Sequence, residues 1–144
     1  MAVIVHTGTD PLGRAAVDRA AQEAVLRDLP LVLVAHVAMP RGETDAASFQ
    51  RRRDETAAQL EAQAEGLRTR GVTCAAELPS APGSRADAVL AAAREHGAAL
   101  IVIGARRRSP VGKALFGSWA QDILLAADCP VLVVKLPRED EDAL

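Results

Sequence analysis

Residues 99–118 read ALIVIGARRRSPVGKALFGS, a short apolar run followed by a polar segment rich in glycine and arginine. Ala99 to Ile103 is the most hydrophobic stretch of the chain, and Gly104 ends it. An apolar run without alternation is typical of a parallel strand buried on both faces. Ser118 begins the next helix, and Ser118 with Gln121 has the S-x-x-Q spacing of a capping box. The stretch therefore predicts a central strand, a loop and a capped helix.

The same unit of strand and helix recurs on both sides of this stretch. Alternating strands and helices favour right-handed crossovers and a parallel sheet. We therefore predict an α/β fold, a doubly wound five-stranded parallel sheet with two helices on each face, as one domain over residues 1–137. An acidic tail, 138–144, is expected to be disordered. The other strands are predicted at Val3 to Thr7, Leu31 to Val37, Val72 to Leu78 and Val131 to Leu136, and the other helices at Pro11 to Asp28, Glu43 to Arg70 and Ser84 to His96.

Composition agrees with this fold and argues against several functions. Hydrophobic residues make up 49% of the 144 positions but aromatics only 2%, so the core is built from Val, Leu, Ile and Ala. A net charge of -2 provides no field that attracts nucleic acid or an anionic membrane. No apolar run approaches the ~20 residues of a membrane span, and no basic leader follows Met1. We predict a cytoplasmic protein without nucleic-acid or membrane partners.

The first loop imitates a phosphate-binding motif. Residues 8–15 match the glycine spacing of GxxxxGK[ST] after a strand, but Arg14 replaces the lysine and Ala15 offers no hydroxyl for magnesium. The two glycines, Gly8 and Gly13, are better explained by a tight turn between strand and helix. We therefore do not predict a P-loop.

Two histidines, His6 and His36, fall near the carboxyl ends of strands expected to be neighbours. A catalytic pair or half of a metal site is one reading. The sequence supplies no third ligand and no matching nucleophile, and strand alternation can place the rings on opposite faces. We expect structural histidines here, and we assign no catalytic residue and no metal ligand. The two cysteines, Cys74 and Cys129, show no metal-site spacing and are expected to be core residues.

The loop after Gly104 carries most of the functional information. In open parallel sheets, ligands bind beyond the carboxyl ends of the strands, where the strand order reverses. Arg106, Arg107, Arg108 and Lys113 place positive charge in this loop before a helix start, which is a natural site for an anion. A solvated charged loop is the alternative, and the residues themselves leave both open.

The carboxyl-terminal third of the chain resembles the signature of universal stress proteins. That signature is G-x2-G-x9-G-[S/T] followed by a helix and a CPVLVV-like strand. Gly104, Gly117 and Ser118 fit its spacing, and CPVLVV itself stands at 129–134. Residues 100–104, LIVIG, resemble the family's DLIVMG strand. The resemblance covers nearly the whole chain and implies the adenine nucleotide alpha hydrolase-like sheet with strand order 3-2-1-4-5.

The resemblance also implies a site and a ligand. The ligand is an adenine nucleotide, ATP or AMP, with metal only as its companion. Two departures are expected to weaken binding: the middle glycine of the signature falls at Arg107, and the aspartate that usually ends the first strand falls at Thr7. Arg107 can instead reach a phosphate directly. The implied nucleotide-binding residues are Thr7, Val37, Gly104, Arg106, Arg107, Gly117, Ser118 and Trp119.

Three functions stay open at this point. The first is a stress-response regulatory protein that binds nucleotide or another small anion without efficient catalysis. The second is a weak nucleotide hydrolase that uses the arginine-rich loop. The third is a dimeric interaction module that binds no nucleotide. The resemblance implies a homodimer formed through the last strand, Val131 to Leu136, which an isolated monomer would leave as an exposed apolar edge.

Overall fold

Strands and helices alternate through residues 1–39, 45–106 and 117–138, the parts of the chain that the computed structural model describes. Apolar β-branched runs form the strands, and alanine-rich segments form the helices between them. The strands are β1 (Val3–His6), β2 (Leu31–Val34), β3 (Cys74–Glu77), β4 (Leu100–Gly104) and β5 (Val131–Val134). The helices are α1 (Pro11–Arg27), α2 (Ala46–Thr69), α3 (Arg85–His96) and α4 (Ser118–Ala126).

The sheet is parallel throughout, in the order β3-β2-β1-β4-β5. This confirms the predicted fold class and strand order. The order reverses at β1, whose neighbours are β2 on one side and β4 on the other. A crevice is therefore expected beyond the carboxyl ends of β1 and β4.

Two apolar layers hold the helices onto the sheet. Alternate strand residues such as Val3 and Val5 pack under α1 and α2, through residues that include Ala20 and Leu60. The opposite residues, such as Ile4, pack under α3 and α4. Two helices thus cover each face, as predicted. The described part of the chain contains no helix that is both long and apolar enough to cross a membrane.

Capping residues set several helix ends where the sequence predicts them. Asp10 is the N-cap of α1, and its carboxylate accepts a hydrogen bond from the Gly13 amide at 2.6 Å. Ser84 caps α3 in the same way through the Asp87 amide at 3.0 Å. Gly71, with φ of +90°, ends the α2 segment.

One capping prediction is wrong. Ser118 is the first helical residue of α4, and Gly117 occupies the N-cap position without a side-chain hydrogen bond. Ser118 and Gln121 therefore form no capping box, because the box needs its serine one position earlier in the helix frame. Gly117 therefore gives the amide groups in the first turn of α4 no side-chain hydrogen bond. This end of the helix borders the cavity described below.

Several predicted ends and core positions also differ. Phe49 is half-buried, although its position in the helical pattern predicts a core residue. β2 ends at Val34, three residues earlier than expected, and β5 ends at Val134, two residues earlier. The predictions that fall on 40–44, 107–116 and 139–144 lie outside the described residues.

Candidate functional site

A cavity of about 590 Å³ lies at the switch point of the sheet. The carboxyl ends of β1 and β4 form its floor, and the starts of α1, α3 and α4 form its rim. This is the position that the sheet topology favours for a ligand. The described residues that line it are His6, Thr7, Gly8, Thr9, Asp10, Leu12, Gly13, Ala16, Arg85, Val102, Ile103, Gly104, Ala105, Arg106, Gly117, Trp119 and Ala120.

Most of the predicted site residues converge on this cavity. The lining includes Thr7, Gly104, Arg106, Gly117 and Trp119, which come from three separate parts of the chain. The order of the strands brings them together, because β1 and β4 are neighbours in the sheet.

The other three predicted site residues stand apart from it. Val37 is buried beyond the end of β2, where its carbonyl accepts a hydrogen bond from the Gly83 amide at 3.4 Å. Ser118 is exposed at the start of α4. Neither is among the described residues that line the cavity. Arg107 lies outside the described residues. The nucleotide contacts of all eight predicted residues stay predictions.

His6 and His36 are brought into direct contact. The Nε2 of His6 lies 2.8 Å from the Nδ1 of His36, and the Nδ1 of His6 donates to the carbonyl of Thr7 at 2.6 Å. The possibility that strand alternation separates the two rings is therefore wrong. His36 lies beyond Val34, where β2 has already ended, so alternation no longer governs its direction.

Both histidines are held neutral by their surroundings. Burial lowers the pKa of His6 to about 4, with further contributions from His36 and Arg85 that outweigh the hydrogen bond to Thr7. Burial also lowers the pKa of His36, with Arg85 as the second cause. At neutral pH the pair is uncharged. The two rings therefore give this wall of the cavity hydrogen-bonding groups but no charge.

Arg85 and Trp119 form one side of the cavity. The guanidinium carbon of Arg85 lies 4.4 Å from the centre of the Trp119 ring, which is a cation–π contact. The Trp119 ring is in turn 6.3 Å from the His6 ring, measured between centres. The contact joins the start of α3 to the start of α4 and holds a cation at the cavity wall.

The charges around the cavity favour an anion. Arg85 and Arg106 are the described cations of its lining, and Asp10 is the described acid. The Asp10 carboxylate already accepts the Gly13 amide. Gly117, at the N-cap of α4, provides no side-chain hydrogen bond to the amides of the first turn. Cations beside the amide donors of a helix start are what a phosphate group needs.

A second groove, of about 570 Å³, lies on the other side of the segment 7–9. Thr7 and Gln63 both line it, and the Thr7 hydroxyl donates a hydrogen bond to the Gln63 side-chain oxygen. Thr7 therefore borders both spaces and ties the end of β1 to α2. The described groove residues are Thr7, Gly8, Thr9, Arg14, Thr56, Gln59, Leu60 and Gln63.

One cluster among the described residues has donor atoms of metal-ligand type. The ligand atoms of Glu77, Glu95 and His96 lie within 4.8 Å of one another. An ion pair between His96 and Glu77 accounts for this closeness. His96 thus has a partner besides the helix end at which the sequence places it.

Three residues of the site escaped prediction from sequence as ligand groups. The sequence places His6 near a strand end but does not predict its contact with His36, because His36 lies beyond the end of β2. Arg85 carries no motif, and its place beside Trp119 depends on how α3 packs against α4. The sequence identifies Asp10 as a helix cap. Its position shortly after the end of β1 also indicates that it lies near the cavity.

Comparison with known proteins agrees with this geometry. A model of the universal stress protein family matches residues 1–135. The chain belongs to the universal stress protein family. A universal stress protein of Mycolicibacterium smegmatis is 33% identical over 133 residues, which cover 92% of this chain and 96% of that protein.

Solved universal stress protein structures have the same fold. One from Archaeoglobus fulgidus is 28% identical, with a TM-score of 0.71, and the match covers 94% of this chain and 98% of that one. A universal stress protein from Archaeoglobus fulgidus was also solved in complex with dAMP. It is 26% identical to this chain, with a TM-score of 0.68 and the same coverage. The recognition made from the signature residues is confirmed, and nucleotide binding is a property of a relative.

Proposed function

We propose that this universal stress protein is a regulatory protein that binds an adenine nucleotide in the switch-point cavity. The observation that carries the proposal is the meeting of Arg85, Arg106 and the uncapped start of α4 around one space of about 590 Å³. Ligand pockets for small molecules commonly span about 300–1,000 Å³, so the space suits a nucleotide. Phosphate is the group that this combination of cations and amides recognises.

The dAMP complex of the Archaeoglobus fulgidus relative supports adenine as the base. In our proposal the phosphate lies near Gly104, Arg106 and Gly117, and the nucleoside lies toward Thr7 and Val37. Trp119 stands beside the same space, with a ring face that a base can stack on. ATP and AMP are the ligands we propose to test first, and a metal ion enters only with the nucleotide.

Calorimetric titration with AMP, ATP and an unrelated nucleotide tests the proposal. The purified chain is first stripped of bound ligand, and all titrations use one fixed salt concentration. We expect adenine nucleotides to bind at micromolar concentration. Arg106→Gln should weaken their binding by about ten- to a hundredfold, as expected for loss of one charge-assisted contact of roughly 1.5–3 kcal/mol. Arg94→Gln, an exposed arginine at the far end of α3, is the matched control and should leave affinity unchanged. A folded protein that binds nothing up to millimolar nucleotide contradicts the proposal.

The two departures from the family signature make a second test of the same proposal. We infer that Arg107 and Thr7 weaken binding, because a long side chain replaces the signature glycine and a hydroxyl replaces the aspartate. Arg107→Gly and Thr7→Asp should each tighten AMP binding severalfold in the same titration. If Arg107→Gly weakens binding instead, Arg107 contacts the phosphate itself.

We also propose that the chain forms a homodimer through β5. β5 is an outer strand of the sheet, and all four of its side chains stay partly exposed although all are apolar. Pairing with a second copy would satisfy its free backbone edge and cover these side chains. A cytoplasmic location likewise stays a prediction of the sequence.

A further inference from the structure

The polar wall of the cavity is formed by two histidines that no part of the proposed nucleotide contact uses. His6 lines the cavity, and His36 lies behind it at hydrogen-bond distance, with 4.9 Å between the ring centres. Arg85 is near enough to act on the charge of both rings. An anion bound in the cavity would therefore lie beside a neutral histidine pair.

The hydrogen bonds determine which ring nitrogens of His6 and His36 carry protons. The carbonyl of Thr7 only accepts, so the Nδ1 of His6 carries a proton and donates to it. In neutral His6 the Nε2 is then bare and accepts from the Nδ1–H of His36. When the pair gains one proton, the Nδ1 proton of His36 passes to Nε2 of His6, and the incoming proton binds Nε2 of His36. The Nε2–H of His6 then donates to the bare Nδ1 of His36, and neither ring has to move.

Because a hydrogen bond needs one donor and one acceptor, the pair can hold only one extra proton. If both rings were imidazolium, two N–H groups would face each other across 2.8 Å with no acceptor between them. The pair therefore has two states with the same heavy-atom positions, one neutral and one with a single positive charge. An anion in the cavity favours the charged state, because opposite charges stabilise each other in a partly buried site.

We propose that Arg85 and the His6–His36 pair form an anion-binding subsite of the cavity, and that the pair takes up one proton when a phosphate-type anion enters. The inference rests on the proposed function, since it assumes that the anion of a nucleotide reaches this wall. Without an anion beside it, the pair is kept neutral by burial and by the positive charge of Arg85. A bound anion offsets Arg85 and attracts the imidazolium, so binding and protonation support each other.

Two other charged residues in the described lining affect the stability of a positive charge on the pair. Arg106, after β4, adds to the repulsion of an imidazolium, and Asp10, at the start of α1, reduces it. α4 contributes Trp119 and Ala120 to the described lining, and the neutral Gln63 of α2 is bonded to Thr7. Burial is the larger cause for both rings, and Arg85 is the cation that acts on both, so an anion beside Arg85 favours the charged state of the pair.

Linkage gives the sign of the pH dependence. The pKa of the pair is higher with the anion bound, so affinity rises as pH falls through that value and is constant above it. An opposite charge within about 4–6 Å raises a pKa by about 1–3 units. Affinity for a non-titrating anion should therefore rise on the order of tenfold from about pH 7.5 to about pH 5.

Calorimetry of the full chain in two buffers of different ionisation enthalpy measures the protons taken up. The probes are sulfate, which stays dianionic through this pH range, then AMP, and adenosine as the ligand without phosphate. We expect sulfate and AMP to bind with proton uptake of up to one per chain near pH 5.5, and adenosine to bind without it. The phosphate of AMP titrates near pH 6 itself, so the protein's share is the difference between wild type and the variant below.

The double variant His6→Gln/His36→Asn removes both titrating rings and keeps amide groups at the two bonding positions. It should bind sulfate with no proton uptake and no rise in affinity at low pH. His96→Gln, which removes the remaining histidine at a distant site, should keep the wild-type uptake. Arg85→Gln should weaken sulfate binding severalfold at every pH.

Each outcome decides between the two proposals. Uptake in wild type that the double variant loses supports the subsite. AMP binding with equal uptake in both proteins overturns the subsite and leaves nucleotide binding intact. Proton-linked sulfate binding without AMP binding supports the subsite and overturns the nucleotide. Absence of binding for every probe overturns both.

A second measurement does not depend on the double variant being folded. The chain has three histidines, so the ring signals in an NMR titration of the wild-type protein are few. With saturating sulfate, the His6 and His36 titration curves should move to higher pH. Unchanged curves in the presence of bound sulfate overturn the subsite.

Discussion

Gly8 and Gly13 touch through their backbones at the turn between β1 and α1. A β-carbon built on Gly8 would lie 2.5 Å from the Cα of Gly13, and one built on Gly13 would lie 2.6 Å from the Cα of Gly8. Side chains cannot be accommodated at such distances without backbone movement. The glycine spacing that imitates a P-loop is therefore explained by packing of the turn.

Substitution of Gly13 by alanine should destabilise the protein. The added methyl meets the backbone of Gly8 and the Asp10 carboxylate at 2.9 Å, and forced overpacking costs about 1–3 kcal/mol. Urea unfolding measures the loss. Gly66→Ala is the control, because nothing lies within 4 Å of the new methyl in α2 and alanine favours a helix over glycine by about 0.5–1 kcal/mol. Equal stability of Gly13→Ala and wild type would contradict the packing explanation.

Asp10 should act on stability and on ligand affinity separately. Asp10→Ala removes the N-cap bond to Gly13 and should lower the free energy of unfolding by about 1 kcal/mol. Asp10→Asn keeps a capping oxygen and should stay close to wild type in urea unfolding. Both variants remove a negative charge from the cavity rim and should tighten AMP binding in calorimetry. Weaker AMP binding by Asp10→Asn would show that the ligand needs the carboxylate.

The ligand-free protein should lose stability in mild acid. The pKa of His6 is about 4 in the folded chain against 6.5 for a free histidine, so the unfolded chain binds more protons between these values. Stability is then full above about pH 6.5 and falls as pH drops toward 4, by roughly 1 kcal/mol from about pH 7 to about pH 5.5.

Urea unfolding at these two pH values checks the expectation, with His6→Gln as the comparison. The variant should show a flatter pH dependence, because its amide does not titrate. His36, whose pKa burial also lowers, adds a smaller change in the same direction. A wild-type stability that rises in mild acid would contradict the neutral pair.

The single tryptophan of the chain should report ligand binding. Trp119 lines the cavity beside Arg85, so a bound nucleotide changes its surroundings. We expect its fluorescence emission to change on AMP addition with the same midpoint as the calorimetric titration. Arg85→Ala should alter the emission of the free protein as well, since the ring loses its cation. Calorimetric binding without any change in emission would mean that the nucleotide does not reach Trp119.

Substitution in β5 should separate dimer formation from folding. The carbonyl oxygens of Pro130 and Val134 accept from β4, at the amides of Ile101 and Ala105. Backbone groups alternate along a strand, so the amide of Val133 points to the free edge. Val133→Pro removes that donor, and proline is tolerated on an edge strand.

We expect Val133→Pro to shift the protein from dimer to monomer in analytical ultracentrifugation, with secondary structure retained by circular dichroism. Val133→Thr keeps the amide and the β-branched shape and should stay dimeric. A wild-type chain that sediments as a monomer at the highest concentration would contradict the β5 dimer.

The sequence predicted the fold well and its strand ends less well. Uninterrupted apolar runs, helix caps such as Asp10 and the punctuating glycines identify strands and helices locally. A strand, however, ends where its neighbours end. β2 stops at Val34 because its partners His6 and Glu77 are the last paired residues of β1 and β3. That limit comes from register in the sheet, which the apolar run to Val37 does not reveal.

The site was predictable in its location and only partly in its groups. Strand order and the signature residues pointed to the ends of β1 and β4, and Thr7, Gly104 and Trp119 lie there. The contact of His6 with His36, and that of Arg85 with Trp119, depend on side-chain directions beyond regular strands and on helix packing. Periodicity carries no information about either.

The small residues of the cavity lining have a consequence for the thermodynamics of recognition. Gly8, Gly13, Ala16 and Gly104 belong to that lining, and none of them has a rotatable side-chain torsion that a ligand would freeze. Glycine and alanine lose about 0 kcal/mol of side-chain rotamer entropy when a surface becomes ordered. The rotamer penalty of binding then falls on Arg85 and Arg106 at the rim, so affinity should be tuned chiefly by how far those two guanidinium groups are already restrained before the ligand arrives.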